Sequence, residues 1–294
     1  MPPLLVLTGP TASGKSGAAL PVARALDAEI VSLDSMLLYR GMNIGTDKPT
    51  DFGGVPHHLI DELDPTERFD ARRYLDRADA VIEEIESRGR RALVVGGTAL
   101  YLVSLLKGLF DGPPRDAALR AQLAEVEPTE LHARLQEVDP ESAARLHPND
   151  RRRVTRALEV HALSGRPLSE WQRQWDAPDR RPSILAGLRL PRELLRARIE
   201  QRVDAMFEAG LVDEVRGLEL GPTAGDAIGY KEVAGFLRGA YDEAEARRLI
   251  VRNTARLARR QETWFSRLDV QWVDARADDR VAQLLAIYRG STSP

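Results

Sequence analysis

A glycine-rich segment near the start of the chain has the residue types and spacing that bind phosphate groups. Residues 9–16 read Gly-Pro-Thr-Ala-Ser-Gly-Lys-Ser and satisfy the pattern Gly-x-x-x-x-Gly-Lys-[Ser/Thr]. The glycines let successive backbone N–H groups point inward, and a helix that begins near Gly14 adds the positive end of its dipole. We expect Lys15 to bridge the outer oxygens of a polyphosphate and the Ser16 hydroxyl to ligate Mg²⁺. The residues expected to surround the phosphates are Gly9, Pro10, Thr11, Ala12, Ser13, Gly14, Lys15 and Ser16.

Two further polar residues follow predicted strands. Asp34 ends a short apolar strand, and Thr98 follows Gly96 and Gly97 at the end of another. Ligands of parallel sheets bind at the carboxyl ends of the strands, so Asp34 is a candidate general base towards a second substrate, beside Ser35. A Mg²⁺-holding acid and a helix cap are the alternatives for Asp34. Thr98 could either face the phosphates or cap the helix that follows it.

Arginines are concentrated in two segments. Residues 151–156 contain four arginines, and those at positions 248, 252, 256, 259 and 260 lie mostly three or four residues apart. One face of the second helix is therefore cationic, and the opposite face, at positions 250, 254, 257, 261 and 264, is predicted to pack inward. Each segment could be a solvated face, but two of them in a chain of net charge −3 favour a phosphate-rich macromolecule as partner. Nearby Tyr230, Lys231 and Trp264 could contact bases, although core packing explains the tryptophan equally well.

The composition is that of a globular protein, with 43% hydrophobic and 30% charged residues and no cysteine. The lack of cysteine excludes disulfides, thiolate catalysis and cysteine-based zinc sites, and it favours the cytoplasm. His57 and His58 are adjacent, so their side chains point to opposite sides of a strand and do not make a metal site. No apolar run approaches the ~20 residues of a membrane span, and the opening apolar stretch is predicted to be a core strand, not a signal sequence.

The elements that must position these residues alternate between strands and helices. Strands are predicted at residues 4–8, 29–34, 57–61, 91–97, 184–190 and 270–274. Helices are predicted at residues 17–26, 69–88, 98–106, 192–209, 242–267 and 279–288. This order predicts an α/β fold with a parallel sheet and helices on both faces. Residues 116–176 are predicted to be helical only, so we expect a core of residues 1–112 and 183–294 with an inserted helical domain at 113–182.

Taken together, these motifs resemble those of the bacterial tRNA dimethylallyltransferases, the isopentenyltransferases of the IPP transferase family. The resemblance covers nearly the whole chain. It rests on residues 9–16, 34–35, 39–46, 48–49, 56–61, 95–101, 147–150, 156–159, 228–232, 260–261 and 263–265. A phosphate loop alone is shared by many nucleotide-binding proteins, whereas this ordered set is specific.

The resemblance implies a fold like that of phosphate-loop kinases and a prenyl-transfer reaction. The dimethylallyl group of dimethylallyl diphosphate would pass to N6 of adenosine 37, next to the anticodon of tRNA, with Mg²⁺ as cofactor. The phosphate loop would then hold a leaving diphosphate in place of ATP. The partners implied are the tRNA anticodon stem-loop and dimethylallyl diphosphate, with no membrane; a cytoplasmic monomer is expected.

The resemblance also implies roles for individual residues. Asp34 matches the family's base, Thr98 a residue at the leaving oxygen, and Arg216 an arginine that assists there. The residues that match tRNA contacts are Asp34, Ser35, Met36, Leu37, Thr98, Arg120, Arg152, Arg153, Val154, Thr155, Arg156, Asp226, Gly229, Tyr230, Lys231, Arg259, Arg260, Gln261 and Trp264. The chain departs from the family pattern at Asp47, Asp226 and Glu262.

Two other functions compete with prenyl transfer. A small-molecule or nucleotide kinase would use the same loop and sheet, with Asp34 activating the phosphoryl acceptor, but it leaves the arginine segments without a role beyond solvation. A non-catalytic RNA-binding module would use the arginines, but it gives no reason for Asp34 and Thr98 to flank a phosphate loop.

Overall fold

The structure is a computed structural model that describes residues 2–176 and 178–290. The chain forms two compact units. One comprises Met1–Leu106 and Arg181–Pro294, and the other comprises Lys107–Arg180. The second unit is inserted into the first, and its bounds lie within a few residues of the 113–182 range expected from the sequence.

Across the described residues, the first unit is built on one sheet of six parallel strands. The strands are β1 (Leu4–Thr8), β2 (Ala28–Leu33), β3 (His57–His58), β4 (Arg91–Gly96), β5 (Ser183–Arg189) and β6 (Gln271–Asp274). Their spatial order is β3-β2-β4-β1-β5-β6, with every neighbouring pair parallel. β1 and β2 are buried along their whole length, as expected of strands covered on both faces. The predicted α/β fold is confirmed.

The helices alternate with these strands. In chain order they are α1 (Lys15–Leu26), α2 (Ala71–Ser87), α3 (Ala99–Lys107), α4 (Ala117–Ala124), α5 (Pro128–Val138), α6 (Pro140–Arg145), α7 (Arg151–Ser164), α8 (Leu168–Trp171), α9 (Arg192–Glu208), α10 (Leu211–Arg216), α11 (Pro222–Gly225), α12 (Tyr230–Leu237), α13 (Glu243–Phe265) and α14 (Arg280–Gly290). A 3₁₀ helix, Gln172–Asp176, follows α8. Among the described residues, no helix is both long and apolar enough to cross a membrane.

Two predicted elements differ from the structure in detail. The strand expected at residues 57–61 has only two residues, because Leu59 and Asp61 adopt left-handed backbone angles (φ 60° and 55°) that end the pairing. On α13 the buried side includes Ile250, Gln261 and Phe265, whereas Trp264 is only half-buried. The inward face of α13 is therefore rotated from the predicted one, since Phe265 takes the core position.

The inserted unit has its own core. In Lys107–Arg180 the residues that the structure describes form helices and loops, and Leu131, Leu135 and Val154 are fully buried among them. Phe110 and Trp171 pack against this cluster, with ring centroids 6.1 Å apart.

Candidate active site

The phosphate loop links β1 to α1, and its glycines are required by the local geometry. Gly9 has φ +144°, and a Cβ atom there would lie 2.4 Å from the carbonyl oxygen of Leu188 on the neighbouring strand. Gly14 has φ +92° and caps α1. Side chains at these two positions would strain the backbone or collide with it. The result is a tight turn that leads into a helix N-terminus, which is the arrangement that binds phosphate.

The side chain of Lys15 folds back over this loop. Its ammonium donates to the carbonyl oxygens of Gly9 (2.8 Å) and Pro10 (2.7 Å). Burial lowers the pKa of Lys15 from 10.5 to about 8; Asp34 opposes this shift, and Arg202 adds to it. Lys15 is therefore a cation that an incoming anion would stabilise.

Asp34 and Thr98 follow β2 and β4, neighbouring strands that end side by side. Leu33 is paired with Gly96, where a Cβ atom would lie 2.4 Å from the Leu33 carbonyl oxygen. The backbone N–H of Ser35 donates to the Thr98 hydroxyl (3.2 Å), and that of Met36 donates to the Asp34 carboxylate (2.8 Å). The carboxylate thus caps its own turn and also lines the cleft described next.

The phosphate loop and Asp34 line one cleft of about 610 Å³. Its polar lining includes Lys15, Ser16, Asp34 and Asp47, and its apolar lining includes Leu20, Ile30, Leu37, Pro49 and Ile60. The lining thus combines groups suited to a phosphate compound with apolar surface suited to a small apolar group.

Two arginines of α9 also line this cleft, and the sequence analysis missed them. Arg202 donates to the Thr11 hydroxyl (3.2 Å) and lies 3.4 Å from the Asp47 carboxylate. Arg198 donates to the Ala12 carbonyl oxygen (3.5 Å). Their spacing of four residues was the available signal, because it places both along one edge of the apolar stripe formed by Leu195, Ile199 and Val203.

Gln261 ties the cleft together from α13. Its amide donates to the carbonyl oxygen of Gly97 (2.8 Å) and accepts from the backbone N–H of Thr11 (2.8 Å). Gln261 therefore fixes the phosphate loop against the turn that carries Thr98, while its side chain also lines the cleft.

The second arginine segment forms a basic pocket with the α11–α12 connection. This pocket of about 540 Å³ is lined by Asp226, Ile228, Lys231, Asn253, Arg256, Arg259 and Arg260. The predicted contacts Asp226, Lys231, Arg259 and Arg260 are exposed. Trp264 is half-buried, with the Arg267 guanidinium 5.6 Å from the centre of its ring.

Two predicted RNA contacts in this region are corrected. Tyr230 is fully buried, and its hydroxyl donates to Glu214 (2.5 Å). Gly229 is buried, and its N–H caps α12 by donating to Glu232 (2.8 Å). The Tyr230 ring is therefore not available to stack on a base, and the Gly229 N–H is already bonded within the protein.

In the helical unit, Arg120 and Arg156 flank a buried carboxylate. Arg120 contacts both oxygens of Glu159 (2.7 and 2.8 Å), and Arg156 contacts one of them (2.6 Å). These two arginines and the Asp116 N–H hold the pKa of Glu159 near 2 against the opposing effect of burial. Arg120 and Arg156 therefore neutralise the buried charge of Glu159, a structural role that the sequence analysis did not predict.

The remaining predicted tRNA contacts on α7 differ in their exposure to solvent. Val154 is fully buried in the core of the helical unit, so a contact of this residue with tRNA would have to use its backbone. Arg152 and Arg153 are exposed, and Thr155 is half-buried.

The amino-acid sequence matches the IPP transferase family over residues 37–268, which is most of the chain. The chain belongs to the IPP transferase family. A tRNA dimethylallyltransferase of Symbiobacterium thermophilum is 49% identical over 284 residues, which cover 92% of this chain and 89% of that protein.

Solved structures show the same fold. A tRNA isopentenylpyrophosphate transferase of Bacillus halodurans matches with a TM-score of 0.74 and 37% identity, covering 99% of this chain and 96% of that one. A eukaryotic dimethylallyltransferase acting on tRNA matches with a TM-score of 0.82 and 27% identity, covering 97% of this chain and 78% of that one. These likenesses do not favour the kinase alternative.

In this member of the IPP transferase family, Arg216, which the resemblance assigned to the leaving oxygen, does not line the cleft. Arg216 ends α10, its side chain is 61% exposed, and it pairs with Asp213 one turn earlier. The guanidinium groups that do line the cleft belong to Arg198 and Arg202. The local sequence could not show which of these arginines lines the cleft, because that depends on how α9 packs across the phosphate loop.

The cleft offers oxygen donors for a hard cation but no complete protein cage. Within residues 2–176 and 178–290, no cluster of three or more His, Cys, Asp or Glu side chains is arranged to hold a metal. The Ser16 hydroxyl and the Asp34 carboxylate both line the cleft, and such oxygens suit Mg²⁺. This donor set fits a Mg²⁺ ion that is held largely by a bound diphosphate.

Proposed function

We propose that this protein transfers the dimethylallyl group of dimethylallyl diphosphate to N6 of adenosine 37 in tRNA and releases diphosphate. The observation that carries the proposal is that a phosphate loop and the Asp34 carboxylate line one cleft, with Thr98 beside Asp34. Membership of the IPP transferase family and the name of the Symbiobacterium relative support the same reaction.

The donor half of the cleft is built to stabilise a departing anion. As the bond between C1 and the bridging oxygen of the donor breaks, its electron pair stays with the diphosphate, and negative charge grows on that oxygen. The phosphate-loop N–H groups, Lys15 and Arg202 would face this charge, and a fixed set of such donors costs no reorganisation during the reaction. The apolar side chains of Leu20, Ile30 and Ile60 line the same cleft and suit the prenyl group.

The acceptor half supplies a base. The exocyclic amine of adenine is a weak nucleophile because its lone pair is delocalised into the ring. Asp34 would accept the proton that N6 loses as the N6–C1 bond forms. The Thr98 hydroxyl accepts a hydrogen bond from Ser35, so its own proton remains available for the leaving oxygen.

Mg²⁺ is proposed as the cofactor, with Ser16 as its protein ligand and the diphosphate providing most of its other oxygens. When bound, the ion supplies Lewis-acid neutralisation of the diphosphate charge.

The target base must leave its stack to reach the cleft, as in other enzymes that act on a base. Lys231, Arg259 and Arg260 would bind the RNA backbone at the basic pocket, and Arg152 and Arg153 would do so on the helical unit. We also propose that the protein acts as a cytoplasmic monomer on the anticodon stem-loop.

A transfer assay tests the proposal. Purified protein, Mg²⁺ and radiolabelled dimethylallyl diphosphate are incubated with an anticodon stem-loop that carries adenosine at positions 36 to 38, or with the same RNA carrying guanosine at 37. Label is expected only in the RNA with adenosine 37, and Asp34→Asn should remove most of it. The absence of label from both RNAs, with ATP consumed on a small acceptor, would establish a kinase instead.

A further inference from the structure

We propose that Asp47 is a positioning residue that holds Arg202 before an anion binds and thereby weakens the binding of diphosphate. This inference rests on the proposed function, because it takes diphosphate to be the anion bound by the phosphate loop. Phosphate binding by the loop does not require this role: the Asp47 carboxylate competes with the incoming diphosphate for the guanidinium of Arg202.

Asp47 is presented to the cleft by a loop that is fixed on both sides. The Glu214 carboxylate accepts the backbone N–H groups of Asn43 (3.0 Å), Ile44 (2.7 Å) and Gly45 (3.2 Å). On the other side, the buried Lys48 ammonium donates to the Tyr39 carbonyl oxygen (2.7 Å) and to Asp61 (2.5 Å).

Between these anchors Asp47 adopts a left-handed backbone conformation, with φ +55°. A residue other than glycine in this region carries backbone strain, which the surrounding hydrogen bonds must hold. The loop therefore fixes the backbone of Asp47, and its carboxylate, although 63% exposed, lies 3.4 Å from the Arg202 guanidinium.

Arg202 lies between this carboxylate and the phosphate loop. One guanidinium nitrogen is within 3.2 Å of the Thr11 hydroxyl and 3.4 Å of the Asp47 carboxylate, and the side chain is only 25% exposed. Its charge also contributes to the lowered pKa of Lys15, which places Arg202 close to the cation that binds the outer phosphates. Arg202 is thus shared between a resident carboxylate and the site of the incoming anion.

Asp47 and diphosphate therefore compete for Arg202, and this competition lowers the affinity for diphosphate. Diphosphate must draw Arg202 away from Asp47 to gain the full attraction of its charge, and breaking that ion pair weakens binding. The same competition favours release of product diphosphate after transfer. If Asp47 were instead a ligand of a bound cation, its removal would weaken diphosphate binding and would do so only with Mg²⁺ present.

The experiment is calorimetric titration of the full-length protein with inorganic diphosphate, with Mg²⁺ and separately with EDTA. Asp47→Ala is expected to tighten binding about two- to fivefold under both conditions, the range set by one partly exposed ion pair. Asp47→Asn should act in the same direction, because it removes the charge and keeps the side-chain shape. The matched control is Asp213→Ala, which breaks an ion pair with Arg216 on α10 and should leave binding unchanged.

A double-mutant cycle shows whether Asp47 acts through Arg202. In an Arg202→Ala background, Asp47→Ala should no longer tighten binding. Persistence of the full effect in that background, unchanged binding, or weaker binding of Asp47→Ala would each overturn the inference. Failure of the unmodified protein to bind diphosphate at all would overturn the proposed function along with it, whereas the first three outcomes overturn this inference alone.

Discussion

At the scale of single residues, Lys15 predicts a pH dependence. Because the pKa of Lys15 is about 8 in the free protein, its amino group carries a positive charge below pH 8 and loses that charge above it. We expect kcat/KM for the diphosphate donor to fall as pH rises through about 8, because this ratio reports the free enzyme. Lys15→Arg keeps the charge, so its activity, although lower, should not fall in that range. A wild-type profile that is flat through pH 8 would contradict this role.

Arg202 and Arg216 make a matched pair of variants. Arg202 lines the cleft beside the phosphate loop, whereas Arg216 is exposed and pairs with Asp213. Arg202→Ala is expected to lower kcat/KM for transfer roughly 100- to 1,000-fold, the usual effect of losing one donor that stabilises developing charge. Arg216→Ala should change it less than about threefold, since surface pairs contribute little. Steady-state kinetics measure both losses. A larger loss of kcat/KM in Arg216→Ala than in Arg202→Ala would support the role at the leaving oxygen that the resemblance implied for Arg216.

At the scale of elements, Glu214 on α10 couples the cleft loop to α12. Its carboxylate accepts hydrogen bonds from three loop N–H groups and from the hydroxyl of Tyr230. The Tyr230 ring packs closely on the loop, since a Cβ atom at Gly45 would lie 2.5 Å from it. Glu214→Gln is expected to raise KM for the donor several-fold and to lower the free energy of unfolding by about 1–3 kcal/mol, because the amide nitrogen that replaces one carboxylate oxygen cannot accept from these partly buried donors. Asp213→Asn, one residue earlier, is the control and should cost less than about 1 kcal/mol. Equal effects of the two variants would show that the loop does not depend on Glu214.

Sequence patterns predicted those parts of the site that local chain geometry determines. The phosphate loop follows from glycine positions within eight residues, and Asp34 meets Thr98 because parallel strands end at one edge of the sheet. Arg202 was missed because its position depends on how α9 packs over the loop. Val154 and Tyr230 were assigned to RNA from motif matching, yet both are core residues, a distinction that requires the packing of neighbouring helices.

At the scale of the whole molecule, the helical unit depends on one buried charge cluster. Glu159→Gln leaves Arg120 and Arg156 without their counter-charge, and we expect a cost of about 1–3 kcal/mol, since both guanidinium groups are partly exposed. We expect faster amide hydrogen exchange throughout α7, measured by mass spectrometry. Glu170→Gln is the control, because Glu170 is exposed and pairs only loosely with Arg166 (3.5 Å).

The same cluster predicts how the helical unit responds to acid. The pKa of Glu159 is lowered from 4.5 to about 2, so the unfolded state binds the proton more tightly than the folded state. Its stabilisation is therefore present at neutral pH and is lost as pH falls from about 4.5 towards 2. Protection of α7, taken as the intrinsic exchange rate at each pH divided by the observed rate, should fall over this range in the wild type and fall less steeply in Glu159→Gln. Equal acid dependence of the two proteins would contradict the assignment.

The most direct test of prenyl transfer is the stoichiometry of both products in one reaction. Diphosphate release and dimethylallyl-adenosine, the latter from nuclease-digested tRNA, are measured together after mixing protein, Mg²⁺, dimethylallyl diphosphate and tRNA. The account predicts one diphosphate for each modified adenosine and no release without RNA. Diphosphate released without RNA, or modified nucleoside formed without an equal amount of diphosphate, would contradict it.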